Sequence, residues 1–149
     1  MPEDSDAGNA ADARRTHDQL ASLGGTLDGT LIERVGIEIL EAEPDRVVAR
    51  MPVDGNRQPF GLLHGGATGA LCETVGSVGA SLAAAPDRIA VGIELNVNHL
   101  RAVTQGHITA TGTPLHSGRS VAVWDVRVQD DDGRLIAVGR LTLAVREIR

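Results

Sequence analysis

One stretch limits the fold of this chain more than any other. Over residues 65–84, Leu71, Val75, Val78 and Leu82 recur at spacings of four, three and four, which marks one face of a helix. The same region holds five glycines between His64 and Ala80, at Gly65, Gly66, Gly69, Gly76 and Gly79. Each glycine inside a helix costs up to about 1 kcal/mol against alanine. A helix so composed is not stable alone. Its small positions, with Ala70 and Ala80, call for close tertiary packing, either from a sheet wrapped around it or from a second copy of the helix.

Most of the remaining chain alternates with a period of two. From Leu31, Val35, Ile37 and Ile39 fall on one face with Glu38 opposite. Pro44-Asp45 gives a turn, and Val47, Ala49, Met51 and Val53 resume the alternation, so residues 31–53 read as a hairpin. Asn56 to Leu63 is a loop by its Pro and Gly, and Pro86-Asp87 closes the helix. Strand-like runs follow at Ala90 to Leu100, alternating through Val91, Ile93, Leu95 and Val97, then at His107 to Leu115 and Ser120 to Gln129. Asp132-Gly133 is a tight hairpin signal before a last run from Leu135 to Arg146. The predicted order is β-β-α-β-β-β-β, an α+β chain with one long helix and a mostly antiparallel sheet. Residues 1–16 are small and polar and read as a disordered tail. Residues 17–149 read as one domain, opening on a short helix from His17 to Leu23 that Gly24-Gly25 ends.

Composition excludes several function classes. A formal charge of −6, with one Trp, one Phe and no Tyr, argues against a nucleic-acid surface. No apolar run approaches the roughly 20 residues of a membrane span. The acidic N-terminus lacks the apolar segment of a secretory signal. One cysteine allows neither an internal disulfide nor a cysteine zinc cluster. The five histidines show no metal-ligand spacing, and no phosphate-binding glycine loop is present, so neither metal nor cofactor is expected. These features point to a cytoplasmic protein.

Two groups on the long helix carry candidate chemistry. His64-Gly65-Gly66 opens it, where the first amides lack partners and favour negative charge. The Gly65 amide is a donor for a polarised carbonyl, or the glycines simply make a tight turn into the helix. Glu73 lies eight residues on, about 12 Å along the axis. It is either a surface glutamate or a reacting carboxylate among small neighbours. A reacting carbonyl must sit roughly 3 Å from both donor and attacker. If both groups serve one reaction, they come from two copies of the chain, and the dimer is obligatory. Ser77 shares the face of Glu73 and can orient the carboxylate or a water. Cys72 reads as a small buried thiol. In LHSGRS, Leu115 to Ser120, the turn is either a plain hairpin or a phosphate site made by open amides and Arg119, aided by Arg101.

QPFGLLHGGATGALCETVGSVGA resembles the signature of the hotdog-fold acyl-CoA thioesterases. It looks most like the branch that uses a catalytic glutamate, which includes the 1,4-dihydroxy-2-naphthoyl-CoA, enterobactin-proofreading and Arthrobacter-type 4-hydroxybenzoyl-CoA thioesterases. The likeness runs from about Asp28 to Val145 and takes in MPVDGNRQPFGLLHGG, VGIELNVNHLRAV and PLHSGRS. It implies a helix wrapped by an antiparallel sheet, dimers whose sheets join, and homotetramers built as dimers of dimers. It implies that Gln58, His64 and the Gly65 amide hold and polarise the thioester. Glu73 of the partner then attacks it or activates water, and Ser77 positions either. Gly92, His99, Arg101 and Ala102 would hold coenzyme A, and His116, Ser117, Gly118, Arg119, Ser120 and Val121 its nucleotide and phosphates. Close relatives often carry His-His-Arg-Pro where this chain has His99-Leu100-Arg101-Ala102. The implied activity is hydrolysis of an aryl-CoA, with a hydroxynaphthoyl-CoA as first guess. The alternatives are a broad proofreading esterase and a non-catalytic acyl-CoA-binding module.

Overall fold

The structure, a computed structural model, describes residues 25–148 together with Asp18 and Ala21. The expected tail over 1–16 lies outside the described residues. The expected helix from His17 to Leu23 is described only at Asp18 and Ala21, both helical. The elements run α1 (Leu31–Val35), β1 (Glu38–Glu43), β2 (Arg46–Pro52), α2 (Gly65–Ala84), β3 (Arg88–His99), β4 (His107–Ser117), β5 (Val121–Asp130) and β6 (Leu135–Glu147). The six strands form one antiparallel sheet in the order β1-β2-β4-β5-β6-β3. The sheet curls around α2, which touches every strand. This is the hotdog arrangement, and the helix bounds agree with the apolar spacing.

The close packing demanded by the glycines comes from the sheet. A Cβ on Gly79 would overlap the indole face of Trp124, and one on Gly76 would lie 2.6 Å from Leu141 Cδ2. Both partners are fully buried. Leu71, Val75 and Val78 enter the same core, and Leu82 packs at its margin.

Two expectations are corrected. Residues 31–35 form a helical turn, not the start of a strand. The Thr30 hydroxyl accepts the Glu33 amide, and the Glu33 carboxylate accepts the Gly29 amide at 2.6 Å, a reciprocal cap that favours helix. Gly36, at φ 74°, ends the turn and sends the chain into β1. In β3 the simple alternation fails, because the pairing with β6 shifts register between Gly92 and Glu94. Leu95 and Val97 pack on the core, whereas Val91 and Ile93 are exposed.

Candidate active site

The loop between β2 and α2 presents the helix start. Asn56 anchors it by donating from Nδ2 to the carbonyls of Val35 and Pro52, at 2.7 and 2.8 Å. Gln58 N donates to Leu62 O at 2.7 Å, and Leu63 N to Val103 O at 2.8 Å. The Gln58 side-chain oxygen accepts the Phe60 amide, which leaves its Nε2 hydrogens as the remaining side-chain donors. His64 caps α2: its Nδ1 accepts the Gly66 amide at 2.8 Å. An accepting Nδ1 places the proton of neutral imidazole on Nε2, which becomes a donor of fixed position. Gly65 follows, and the His99 ring of β3 closes on it, with Nε2 only 2.9 Å from where a Cβ would stand. Gln58, Gly65, His99, Arg101 and Ala102 meet in a cleft of about 360 Å³, with Leu62, Leu100 and Ile136 among its apolar walls.

Glu73 is not in that cleft. It lies two turns along α2, half-buried, and its carboxyl group rests against Gly92 of β3. The structure therefore gives Gly92 a place beneath the carboxylate. Burial raises the Glu73 pKa above the ordinary carboxylate value, because desolvation disfavours the charged form. Ser77, one turn further on, is half-buried as well. Cys72 is buried against Gly139. Burial first, and the neighbouring Glu73 charge second, push its thiol up to about 12, which makes it inert as a nucleophile.

A third group lies at the far end of β3. Arg88, Arg119, Ser120 and Arg146 line a cleft of about 940 Å³ with Ile89, Val145 and Glu147. Arg88 Nη1 donates to the Arg119 carbonyl, and Val145 N donates to Ser120 O at 2.9 Å, which ties the LHSGRS turn to β6. His116, Ser117 and Val121 are exposed, and His116 leans over Gly118. Arg88 and Arg146 escape sequence reading, because only the register of β3 on β6, with Ile89 opposite Arg146, brings them together. Among the described residues no three His, Cys, Asp or Glu side chains are grouped to hold a metal. No described helix is long and apolar enough to cross a membrane.

The profile of the thioesterase superfamily matches residues 60–137, more than half of the chain. The proofreading thioesterase EntH of Cronobacter turicensis is 42% identical over 132 residues, which are 88% of this chain and 96% of that protein. The chain belongs to the thioesterase superfamily. A 1,4-dihydroxy-2-naphthoyl-CoA hydrolase of Listeria monocytogenes is 39% identical to this thioesterase over 120 residues, 80% of this chain and 98% of its own. A crystal structure of a thioesterase from Haemophilus influenzae superposes with a TM-score of 0.81 at 37% identity, covering 91% of this chain and 90% of that one. The enzyme is thus a thioester hydrolase on a hotdog fold. Its fold presents a glycine-started helix end, a half-buried carboxylate and an arginine-lined cleft.

Proposed function

We propose that this thioesterase acts as a homodimer and hydrolyses a compact aryl-CoA thioester to free acid and coenzyme A, with a hydroxynaphthoyl-CoA as the first candidate. The observation that carries the reading is the separation of Glu73 from the Gly65 cleft on one helix. Eight helical residues, about 12 Å, keep one chain from bringing both to a single carbonyl. A second copy removes the difficulty. β3 is an edge strand of twelve residues with Val91 and Ile93 exposed, the kind of edge that pairs with another chain. An antiparallel pairing centred on Asn96 sets Leu95 opposite the partner's Val97. With the bulged residue Ile93 passed over, Gly92 then faces the partner's His99. Each Glu73 comes level with the other copy's Gly65, and each Arg88 with the other's Val103, close to its Arg101. The two-copy site gains an arginine-rich end although the chain as a whole is acidic.

In this site the Gly65 amide and the helix dipole stabilise the thioester oxygen as it gains charge. Gln58 Nε2 and His64 Nε2–H donate beside it. The Glu73 carboxylate attacks the carbonyl carbon or takes a proton from the water that does, both from the same position, and Ser77 orients it. The C–S bond breaks and the thiolate of coenzyme A leaves; where Glu73 is the nucleophile, water then cleaves the acyl–Glu73 anhydride to free the acid, and in either case the proton released from that water goes to the thiolate. A thioester is an activated acyl group, so the reaction needs no metal or organic cofactor. Arg101 with the partner's Arg88, Arg119 and Arg146 serves the phosphates. Two such dimers pair into a tetramer, and the enzyme works in the cytoplasm. The likeness to EntH supports a second reading, a proofreading enzyme that clears misformed thioesters on carrier proteins.

Thiol release from a panel of acyl-CoA and acyl-carrier-protein esters separates these readings. Aryl-CoA turnover without carrier-protein turnover supports the first, and the converse supports the second. The shared site is tested by mixing two inactive variants, Glu73→Ala and Gly65→Val. Subunit exchange restores one intact site in half of the dimers, about one quarter of the wild-type rate. A mixture that stays inactive after exchange rejects the two-copy site.

A further inference from the structure

Gly92 is not explained by its own strand. Glycine weakens a strand interior, and Gly92 is not among the glycines at positive φ, so no turn requires it. What occupies its missing side chain is Glu73. A Cβ on Gly92 would overlap Oε1 of Glu73 and lie 2.9 Å from its Cδ and 3.3 Å from Oε2. The carboxyl group therefore fills the space above bare backbone, at the position where β3 shifts register on β6. The helix on the other side is held. Cys72 and Thr74, which flank Glu73, are buried, and Thr74 Oγ1 donates to the Ala70 carbonyl at 2.8 Å. A side chain at 92 is then accommodated by movement of the Glu73 carboxylate, the one mobile group in the contact.

We propose that Gly92 is a positioning residue: the bare backbone of β3 at this point seats the Glu73 carboxylate, and the length of Glu73 is matched to the absence of a side chain at 92. This rests on the thioesterase reading of Glu73 given above. A misplacement of about 1 Å costs on the order of 100-fold in rate, so a single methyl at 92 has a large effect on turnover. Aspartate is one methylene shorter than glutamate. Its carboxylate draws back toward α2 and clears the space that a methyl would take.

The test is a cycle of wild type, Gly92→Ala, Glu73→Asp and the double variant, read by thiol release on the best CoA ester and by melting temperature. Gly92→Ala lowers kcat on the order of 100-fold with KM within about twofold. In the Glu73→Asp background the same change alters kcat by less than about threefold and leaves the melting temperature in place. A Gly92→Ala chain that unfolds alone, yet folds and turns over like Glu73→Asp when combined with it, also upholds the match. Full kcat in Gly92→Ala, an equal factor lost in both backgrounds, or a loss confined to KM overturns it. Wild type that releases no thiol overturns the thioesterase reading and the positioning role with it. Active wild type with multiplicative losses overturns Gly92 alone.

Discussion

Midway along β3, Gly92 leaves room for a carboxylate whose charge is made costly by burial; at the C-terminal end of the strand, His99 closes on Gly65, whose amide at the helix start favours negative charge. Both contacts are made by glycine, and both lie between the same strand and the same helix. They differ in what the glycine admits. Gly92 admits a side chain from α2, and Gly65 admits a side chain from β3. In the proposed mechanism the first contact holds the attacker and the second what is attacked. In the proposed dimer neither is a site alone, which gives the edge of β3 its importance in that reading.

The largest change comes from removing the attacker. Glu73→Ala lowers kcat by about 10²–10⁴, the span of a positioned acid–base group, while the fold persists. Steady-state thiol release beside circular dichroism measures both. The other end is less severe. Gly65→Val pushes the His99 ring away from the helix start and disturbs the proposed oxyanion donor, for a loss on the order of 10² in kcat. A larger loss in Gly65→Val than in Glu73→Ala would reverse the distinction drawn above.

The ends also separate by pH. Burial raises the Glu73 pKa. If the ionised form reacts, kcat/KM falls on acidification at a pH above the ordinary carboxylate range, and the pH–rate profile of wild type shows that limb. The same shift has a stability consequence. Between the unfolded pKa and the raised folded one, the native state binds more protons than the unfolded state, so stability falls as pH rises through that window. Glu73→Gln therefore raises the melting temperature at neutral pH while it abolishes turnover. The gain vanishes at pH values below the unfolded pKa. An unchanged melting temperature at neutral pH would show that the carboxylate is not held away from water.

The smallest effect sharpens the edge itself. Asn96→Asp places two carboxylates across the proposed dyad, a like-charge pair worth up to about 1 kcal/mol, or about fivefold in dimer dissociation. Sedimentation at several protein concentrations reads it. No change in association moves the dyad elsewhere along β3.

Much of this is legible in the residues. The apolar spacing of Leu71, Val75, Val78 and Leu82 marks the long helix, and the helical rise alone separates Gly65 from Glu73. The glycines announce a wrapped helix, although only the structure says that Trp124 and Leu141 fill Gly79 and Gly76. The Thr30–Glu33 cap is written in the sequence but is outweighed there by the alternation of Val35, Ile37 and Ile39. The register shift at Gly92 is not legible, since a bulge is decided by what lies on both sides of the strand. The arginine cleft is hidden for the same reason: Arg88 and Arg146 are far apart in the chain and meet only through sheet pairing.

The bulge at Ile93 is also a correction of parity. Gly92 and His99 are seven positions apart, an odd number, and in a regular strand they would point to opposite faces of the sheet. The one unpaired residue between them makes the count even, so both look inward at the helix. Deleting Ile93 would give a smoother ladder and leave Gly92 and His99 six positions apart, still on one face. A single insertion or deletion between Glu94 and His99, with the bulge kept, does the opposite and sends the two contacts to opposite faces, so parity fixes the length of that part of an otherwise forgiving edge.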